Sequence, residues 1–279
     1  MNTVQRVSVL HPEKADDPAA SRKYLNVAPY LGNRASPKEA PMSPPLESVA
    51  SIENRLLTAL FRNEYELLAR SLEPVRYPRN KILYEAGDTM RQAIFINRGM
   101  ASVLAITDKG EPIDVGTVGR EGFVGVPLIL RADKASYRVM AQTRIEAVKI
   151  DSEVLREHFS RSGKLQEVLL GYANVLQTQA VQAVVCRPLH TLEQRLSRRL
   201  LVISDCLDTD VFNLTHEQIA TVLGRHRNRV GVVARGLQEE GLIELSRGSV
   251  KILDRQGLRA AACECYRIVK ECMDAAGEV

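Results

Sequence analysis

The residues from Leu214 to Ile243, LTHEQIATVLGRHRNRVGVVARGLQEEGLI, place a short cationic and amide-rich run between two stretches of helical apolar spacing. Thr215, followed three residues later by Gln218, forms a capping box, so a helix is expected to begin at His216. Ile219, Val222 and Leu223 would face a core, and Ala220 is small where a second helix must cross. Gly224 then permits the left-handed turn that redirects the chain. A second helix is expected from Arg227 to about Glu240, burying Val230, Val233 and Leu237 and turning His226, Arg227, Asn228, Arg229, Gly231 and Val232 outward. The chemistry this offers is recognition of base edges. Arg donates bidentately to guanine O6 and N7, and Asn pairs with adenine N6 and N7. A helix-turn-helix inserts the first turn of its second helix into the major groove, which makes Arg227 and Asn228 the expected base readers. Arg229, Arg225 and Thr215 are better placed for phosphates, where they add affinity and salt dependence without reading sequence. The competing reading is a solvated basic helix in some other helical pair. Agreement of cap, small residue, glycine and apolar spacing argues against it.

These residues need a scaffold, and the flanking sequence supplies one. After Gly241, the segments Glu244 to Ser246 and Val250 to Leu253, joined through Arg247-Gly248-Ser249, read as a hairpin attached to the helices. Arg247 at its tip would reach a phosphate, or is simply a charged turn. Upstream, seven of twelve prolines fall within the first 48 residues, where apolar periodicity is missing, and residues 1–48 are expected to be a disordered arm. Ile52, Leu56, Leu60 and then Tyr65, Leu68, Leu72 predict two short helices before Pro74. Strand-length apolar runs follow at 81–84, 93–97, 101–107, 113–118, 137–142 and 144–150, separated by glycine and aspartate turns. Their close, regular spacing predicts an antiparallel sandwich or barrel, and the absence of βαβ alternation argues against a parallel sheet.

Asp151 and Ser152 cap a short helix to Phe159, and a longer helix is expected from Gly163 to about Cys186, ending before Pro188. Leu165, Leu169, Tyr172, Leu176, Gln179 and Ala183 recur on it at 4-3-4-3-4 spacing. Such a stripe suits a two-helix dimer seam with Gln179 as a polar register residue, or the packing of the helix on its own sheet.

Composition narrows the function further. The chain has 279 residues, a net charge of +4, no Trp and only 5% aromatics, so stacking platforms for single strands are not its device, while a local basic surface for duplex DNA is compatible. No apolar run is long enough to span a bilayer and no secretory signal is evident, so no membrane partner and a cytoplasmic location are expected. The five cysteines read as reduced thiols. Cys263 and Cys265, taken as one helix, would point about 200° apart and cannot chelate one ion from it. Cys265 and Cys272 share a face, and a metal or redox role needs a partner from elsewhere. Cys186 and Cys206 read as core, and His158 and His190 as surface or capping residues. No metal or cofactor is therefore expected. The chain lacks a nucleophile elbow, HExxH, a phosphate-binding GxxxxGK[ST] or a recognisable carboxylate pair, so no enzyme is expected.

LTHEQIATVLG, Arg227 at the opening of the second helix, LQEEGLI and KILDRQGL together resemble the Crp/Fnr family of bacterial transcription regulators, over roughly residues 52–269. GREGFVGVPLIL and ACECY look like a less characterised proteobacterial branch. The resemblance implies an α+β protein, with a cyclic-nucleotide-binding-like antiparallel β-roll over 49–159, a dimerisation helix over 160–187 and a winged helix-turn-helix over 188–279. It implies a homodimer on an inverted-repeat operator, with double-stranded DNA and RNA polymerase as partners and an effector left unknown. The alternative is a receptor or protein-interaction module that does not bind DNA. Members resembling the cyclic AMP receptor hold the nucleotide with a Glu and an Arg-Ser pair. Here those positions carry Val126 and Ala135-Ser136-Tyr137, so cyclic nucleotide binding is not expected. Gly119, Gly122 and Gly125, with Ser136, form the possible effector pocket through backbone amides offered to an anion, or else are turns and bulges. In the second helix, Asn228 and Val232 replace the usual Glu and Arg, which implies a different half-site, with Val232 against a thymine methyl. The N-terminal cysteine group of oxygen-sensing members is missing, which excludes an iron-sulfur cluster of that form.

Overall fold

The computed structural model describes residues 53–161, 163–214 and 227–277. Two short helices, α1 (Arg55–Thr58) and α2 (Arg62–Ala69), open this part. Asn54 fixes the first of them. Its buried side-chain oxygen accepts from the Leu56 and Leu57 N–H groups at the helix start, and its amide donates to the Ile96 carbonyl at 2.9 Å and the Gly122 carbonyl at 2.8 Å. One side chain thus caps a helix and ties it to the sheet.

Eight strands follow: β1 (Glu73–Tyr77), β2 (Ile82–Tyr84), β3 (Gln92–Arg98), β4 (Ala101–Ile106), β5 (Pro112–Val118), β6 (Phe123–Val124), β7 (Arg138–Ala141) and β8 (Ile145–Asp151). They form two antiparallel four-stranded sheets ordered β1-β8-β3-β6 and β2-β7-β4-β5. The six strands expected from sequence are present within a residue or two, and β1 and β6 join them. The two sheets share one apolar core, in which the Phe95 and Phe123 rings stack 5.3 Å apart and Tyr172 tilts against Phe123. Full burial of each phenylalanine ring contributes roughly 1.5–3 kcal/mol.

A single turn, α3 (Val126–Ile129), follows β6, and α4 (Ser152–Ser160) starts at Asp151, whose carboxylate accepts from the Glu153 N–H at 2.8 Å. The long helix α5 runs Lys164–Leu189, so it continues through Pro188 where sequence placed its end earlier. Pro188 cannot donate to the Val184 carbonyl one turn back and its ring crowds that carbonyl, and the helix ends two residues later at His190.

Helix α6 (Leu192–Leu207) was not anticipated, although Thr191 and Gln194 make a complete capping box at its start. Beyond it lie β9 (Val211–Asn213), α7 (Arg227–Glu239), the hairpin β10 (Ile243–Ser246) and β11 (Ser249–Ile252), α8 (Arg255–Ala261) and α9 (Cys265–Gly277). β9 adds a third antiparallel strand to the hairpin. This half has its own core, built by Leu196, Leu200 and Leu201 of α6 with Phe212, Val230, Leu237, Ile243, Val250 and Leu258.

Candidate nucleic-acid interface

Helix α7 begins at Arg227 and is sharply two-faced. Val230, Ala234 and Leu237 are at most 1% exposed and face α6 and the hairpin, while Asn228, Arg229 and Arg235 are exposed and Val232 is 60% exposed. Val233 is half-buried, and Gly231 is buried where sequence turned it outward: it lies beside Val230 on the packed face. Thr215, Arg225, the helix expected from His216 and its turn at Gly224 lie outside the described residues.

The hairpin turns through Arg247 and Gly248 in a two-residue loop, with Ser246 opposite Ser249 and Gly248 at φ +79°. That positive φ is what the tight turn demands and what glycine supplies. Arg247 is exposed at the tip. The Gln238 side-chain oxygen at the end of α7 accepts from the Leu245 N–H at 2.8 Å, so helix and hairpin are held in one register. A polar residue in a charged helix end carries no sequence signal for this contact.

A buried polar seam joins this half to the sheets. The Arg199 guanidinium on α6, 8% exposed, donates to the Thr117 hydroxyl at 2.7 Å and lies 3.5 Å from the Asp114 carboxylate, which also accepts from Ser102 at 3.0 Å. Beside it the Gln179 amide pairs with the backbone of Thr117 on both sides: the Thr117 N–H donates at 2.7 Å and the Gln179 NH2 donates to the Thr117 carbonyl at 3.1 Å. β5 is an edge strand, and Gln179 acts as its missing neighbour. A cleft of about 290 Å³ opens alongside, lined by Asp114, Thr117, Glu121, Gln179, Arg199 and Tyr266 among others. Burial pushes the Glu121 carboxyl above its ordinary value, against the opposing pull of hydrogen bonds to backbone N–H groups, among them Gly119.

The stripe expected as a dimer seam is largely taken up inside the chain. Leu165, Leu169, Tyr172 and Gln179 are buried, with Leu165, Leu169 and Tyr172 in the sheet core, while Leu176 and Ala183 are half-buried. A second stripe of the same spacing, Leu170, Asn174, Gln177, Val181 and Val184, is the exposed one. Leu170, Val181 and Val184 are 44%, 52% and 73% exposed.

The glycines read as an anion cradle are likewise packed against this chain's own atoms. A Cβ on Gly122 would overlap the Tyr172 ring, one on Gly119 would lie 2.9 Å from the Cys206 Cβ, and one on Gly125 would lie 2.9 Å from Ala93. Val126 is buried and apolar, and Ser136 is exposed.

The cysteines depart furthest from expectation. Ala262 is extended, with ψ 157°, so α8 stops before Cys263 and α9 starts at Cys265. The helical phase argument therefore does not apply. Cys263 and Cys265 meet Cys186 at the end of α5 in a buried cluster of their own, with His190 beside them. A hydrogen bond from Cys263 holds the Cys186 thiol below the ordinary thiol value, with His190 and Arg198 acting in the same direction, and the Cys263 thiol is raised in return.

A two-faced helix with an exposed amide and cationic first turn, braced by a small sheet and seated below an eight-stranded antiparallel roll, defines a winged-helix DNA-binding regulator. Comparison with known proteins agrees. The family described as "Cyclic nucleotide-binding domain" matches residues 74–162 and the "Crp-like helix-turn-helix domain" matches residues 194–261, together more than half of the chain. The chain belongs to the Crp/Fnr family of DNA-binding transcription regulators. The global nitrogen regulator of Nostoc sp. is 22% identical over 213 residues, 72% of this chain and 93% of that protein. Among solved structures, the c-di-GMP responsive global regulator CLP of Xanthomonas campestris is 19% identical over 69% of this chain and 99% of that one, with a TM-score of 0.57. A CRP-family transcriptional regulator from Thermus thermophilus is 21% identical over 68% and 99%, with a TM-score of 0.56. Among the described residues, no helix is long and apolar enough to cross a membrane.

Proposed function

We propose that the protein acts in the cytoplasm as a homodimer on inverted-repeat duplex DNA, with α7 in the major groove and RNA polymerase as a further partner. The observation that carries this reading is the start of α7, where Asn228 and Arg229 in the first turn and Val232 in the second are exposed opposite a fully buried Val230, Ala234 and Leu237. In this reading Arg227, Asn228 and Val232 meet base edges, and Arg229 and Arg247 meet phosphates together with Thr215 and Arg225. Residues 49–159 form the sensing roll, 160–187 the dimerisation rod and 188–279 the DNA-binding part. The apolar stripe Leu170, Val181 and Val184 is the surface on α5 that a second copy covers, because exposed apolar side chains at heptad spacing seek a facing helix. The reaction class of the roll is recognition of an effector rather than catalysis.

Selection from a random duplex library tests the reading: an enriched inverted repeat with half-sites about 10 to 10.5 bp apart is expected. No enrichment at low salt would favour a module that binds protein instead. Arg227→Ala should lose roughly 1–3 kcal/mol on the selected site and far less on random duplex, whereas Arg247→Ala should weaken all sequences alike and lower the salt slope by about one. Equal losses from Arg227→Ala on both duplexes would remove that residue from the groove.

A further inference from the structure

We propose that Cys186, His190, Cys263 and Cys265 form a mononuclear zinc site that staples the end of α5 and the α5–α6 corner to the start of α9. Two segments far apart in sequence deliver the donors. Cys186 sits in the last turn of α5, and His190, four residues on, caps that helix with its N–H donating to the Cys186 carbonyl at 3.3 Å. One helical turn therefore presents a sulfur and an imidazole on the same side. Cys263 and Cys265 arrive from the α8–α9 connection, which is free of helical phase because Ala262 is extended.

The dimensions suit one tetrahedral ion. All four ligand atoms lie within 4.8 Å of one another. The Cys186 and Cys263 sulfurs are 3.6 Å apart, and the Cys265 sulfur is 3.6 Å from the His190 Nδ1. A tetrahedral centre with zinc–sulfur bonds of about 2.3 Å places its sulfurs about 3.8 Å apart, so closure needs only small side-chain movements. An iron–sulfur cube would hold its cysteine sulfurs farther apart than this, because its own core lies between them. A donor set of three cysteines and one histidine is a closed structural zinc set with no position left for substrate.

The histidine is oriented for the role. Its Nε2 lies 3.1 Å from the Glu264 carboxylate, which leaves Nδ1 toward the sulfurs. A carboxylate on the far nitrogen is the usual support of a metal-bound imidazole, since it selects the tautomer and raises the ligand's basicity. The three cysteines are buried, at 5%, 3% and 0% exposure, and belong to neither apolar core. On binding, three thiols lose their protons and His190 binds neutral, so the filled site carries one net negative charge. Arg187 and Arg198 line the recess beside Cys186 and would balance it.

One of the two cysteines outside the cluster provides an internal control. Cys272 lies outside the cluster, with its sulfur against Asn174 and Thr178. The test uses the full chain, reduced and stripped of metal, titrated with cobalt(II) and then with zinc against a chromophoric chelator. One equivalent per chain is expected, with the intense visible bands and thiolate charge transfer of tetrahedral cobalt. Cys263→Ser and Cys265→Ser should each weaken zinc binding at least about 100-fold, and Glu264→Gln about 10- to 100-fold. His190→Cys should retain one equivalent, and Cys272→Ser should match the parent. Less than half an equivalent in the reduced parent, an octahedral cobalt spectrum, or equal losses from Cys272→Ser and Cys263→Ser would overturn the site. So would a Cys186–Cys263 disulfide that forms in the presence of excess zinc.

Discussion

Replacing Gln179 by Met keeps the length of the side chain and removes both of its hydrogen bonds to Thr117. The backbone N–H and carbonyl of that edge residue are then left dry and unpaired, since these bonds are buried. A buried group deprived of its partner costs about 1–3 kcal/mol. Two on one residue, partly offset by the added apolar contact, give about 2–4 kcal/mol. For a domain of this size each kcal/mol lowers Tm by about 2–4 °C, so a drop on the order of 4–16 °C is expected. Thermal unfolding at a fixed protein concentration measures it, because the melting point of an oligomer depends on concentration. Gln256→Met, at an exposed position on α8 away from α5, is the control and should move Tm by no more than about 2 °C. Sedimentation should show the Gln179→Met protein in the same oligomeric state as the parent. An unchanged Tm combined with loss of that state would refute the reasoning and place Gln179 at a subunit seam.

Three further outcomes follow from the same geometry. Val181→Glu with Val184→Glu should give a soluble monomer by sedimentation, whereas Leu169→Glu should unfold the chain, because Leu169 has no exposed surface; a folded dimer in the first case would move the seam elsewhere. Glu121 has its folded pKa raised by burial, so its contribution is fully present below the unfolded value of about 4.5 and is lost as pH rises through the folded value. Glu121→Gln should therefore flatten the decline of stability above pH 5 in urea titrations, and a parallel decline in both proteins would contradict this. Neither cyclic AMP nor cyclic GMP at millimolar concentration should tighten operator binding, since Tyr172 fills the space at Gly122 and Val126 is apolar; a tenfold gain, about 1.4 kcal/mol, would overturn that.

What was legible in the sequence was whatever rests on local rules. Six of the eight strands of the roll, the Arg247-Gly248 hairpin and the two-faced α7 each carry their own turn or periodicity. β1 was hidden by Pro74 within it, and β6 by having only two residues. The capping box at Thr191 and Gln194 would have announced α6. On α5 two stripes of identical spacing run side by side, and periodicity cannot say which one meets the sheet: that depends on Gln179 reaching the edge of β5, a contact 62 residues away. The thiol cluster was hidden for a related reason. One extended residue, Ala262, interrupts what reads as continuous helix, and the other donors lie about 75 residues upstream.

Arg199 sets the mechanical character of the joint between the two halves. Rotating α6 away from β5 would part the guanidinium from the Asp114 carboxylate, two side chains each only 10% exposed at the wall of the cleft. Separating such a pair costs about 3–5 kcal/mol before any compensating contact forms. Small displacements are thus resisted steeply, and a displacement large enough to bring both charges to solvent or to new partners escapes the penalty altogether. A latch of this kind makes intermediate angles rare, so the posture of the DNA-reading half should change by a jump between two settings rather than by a graded swing.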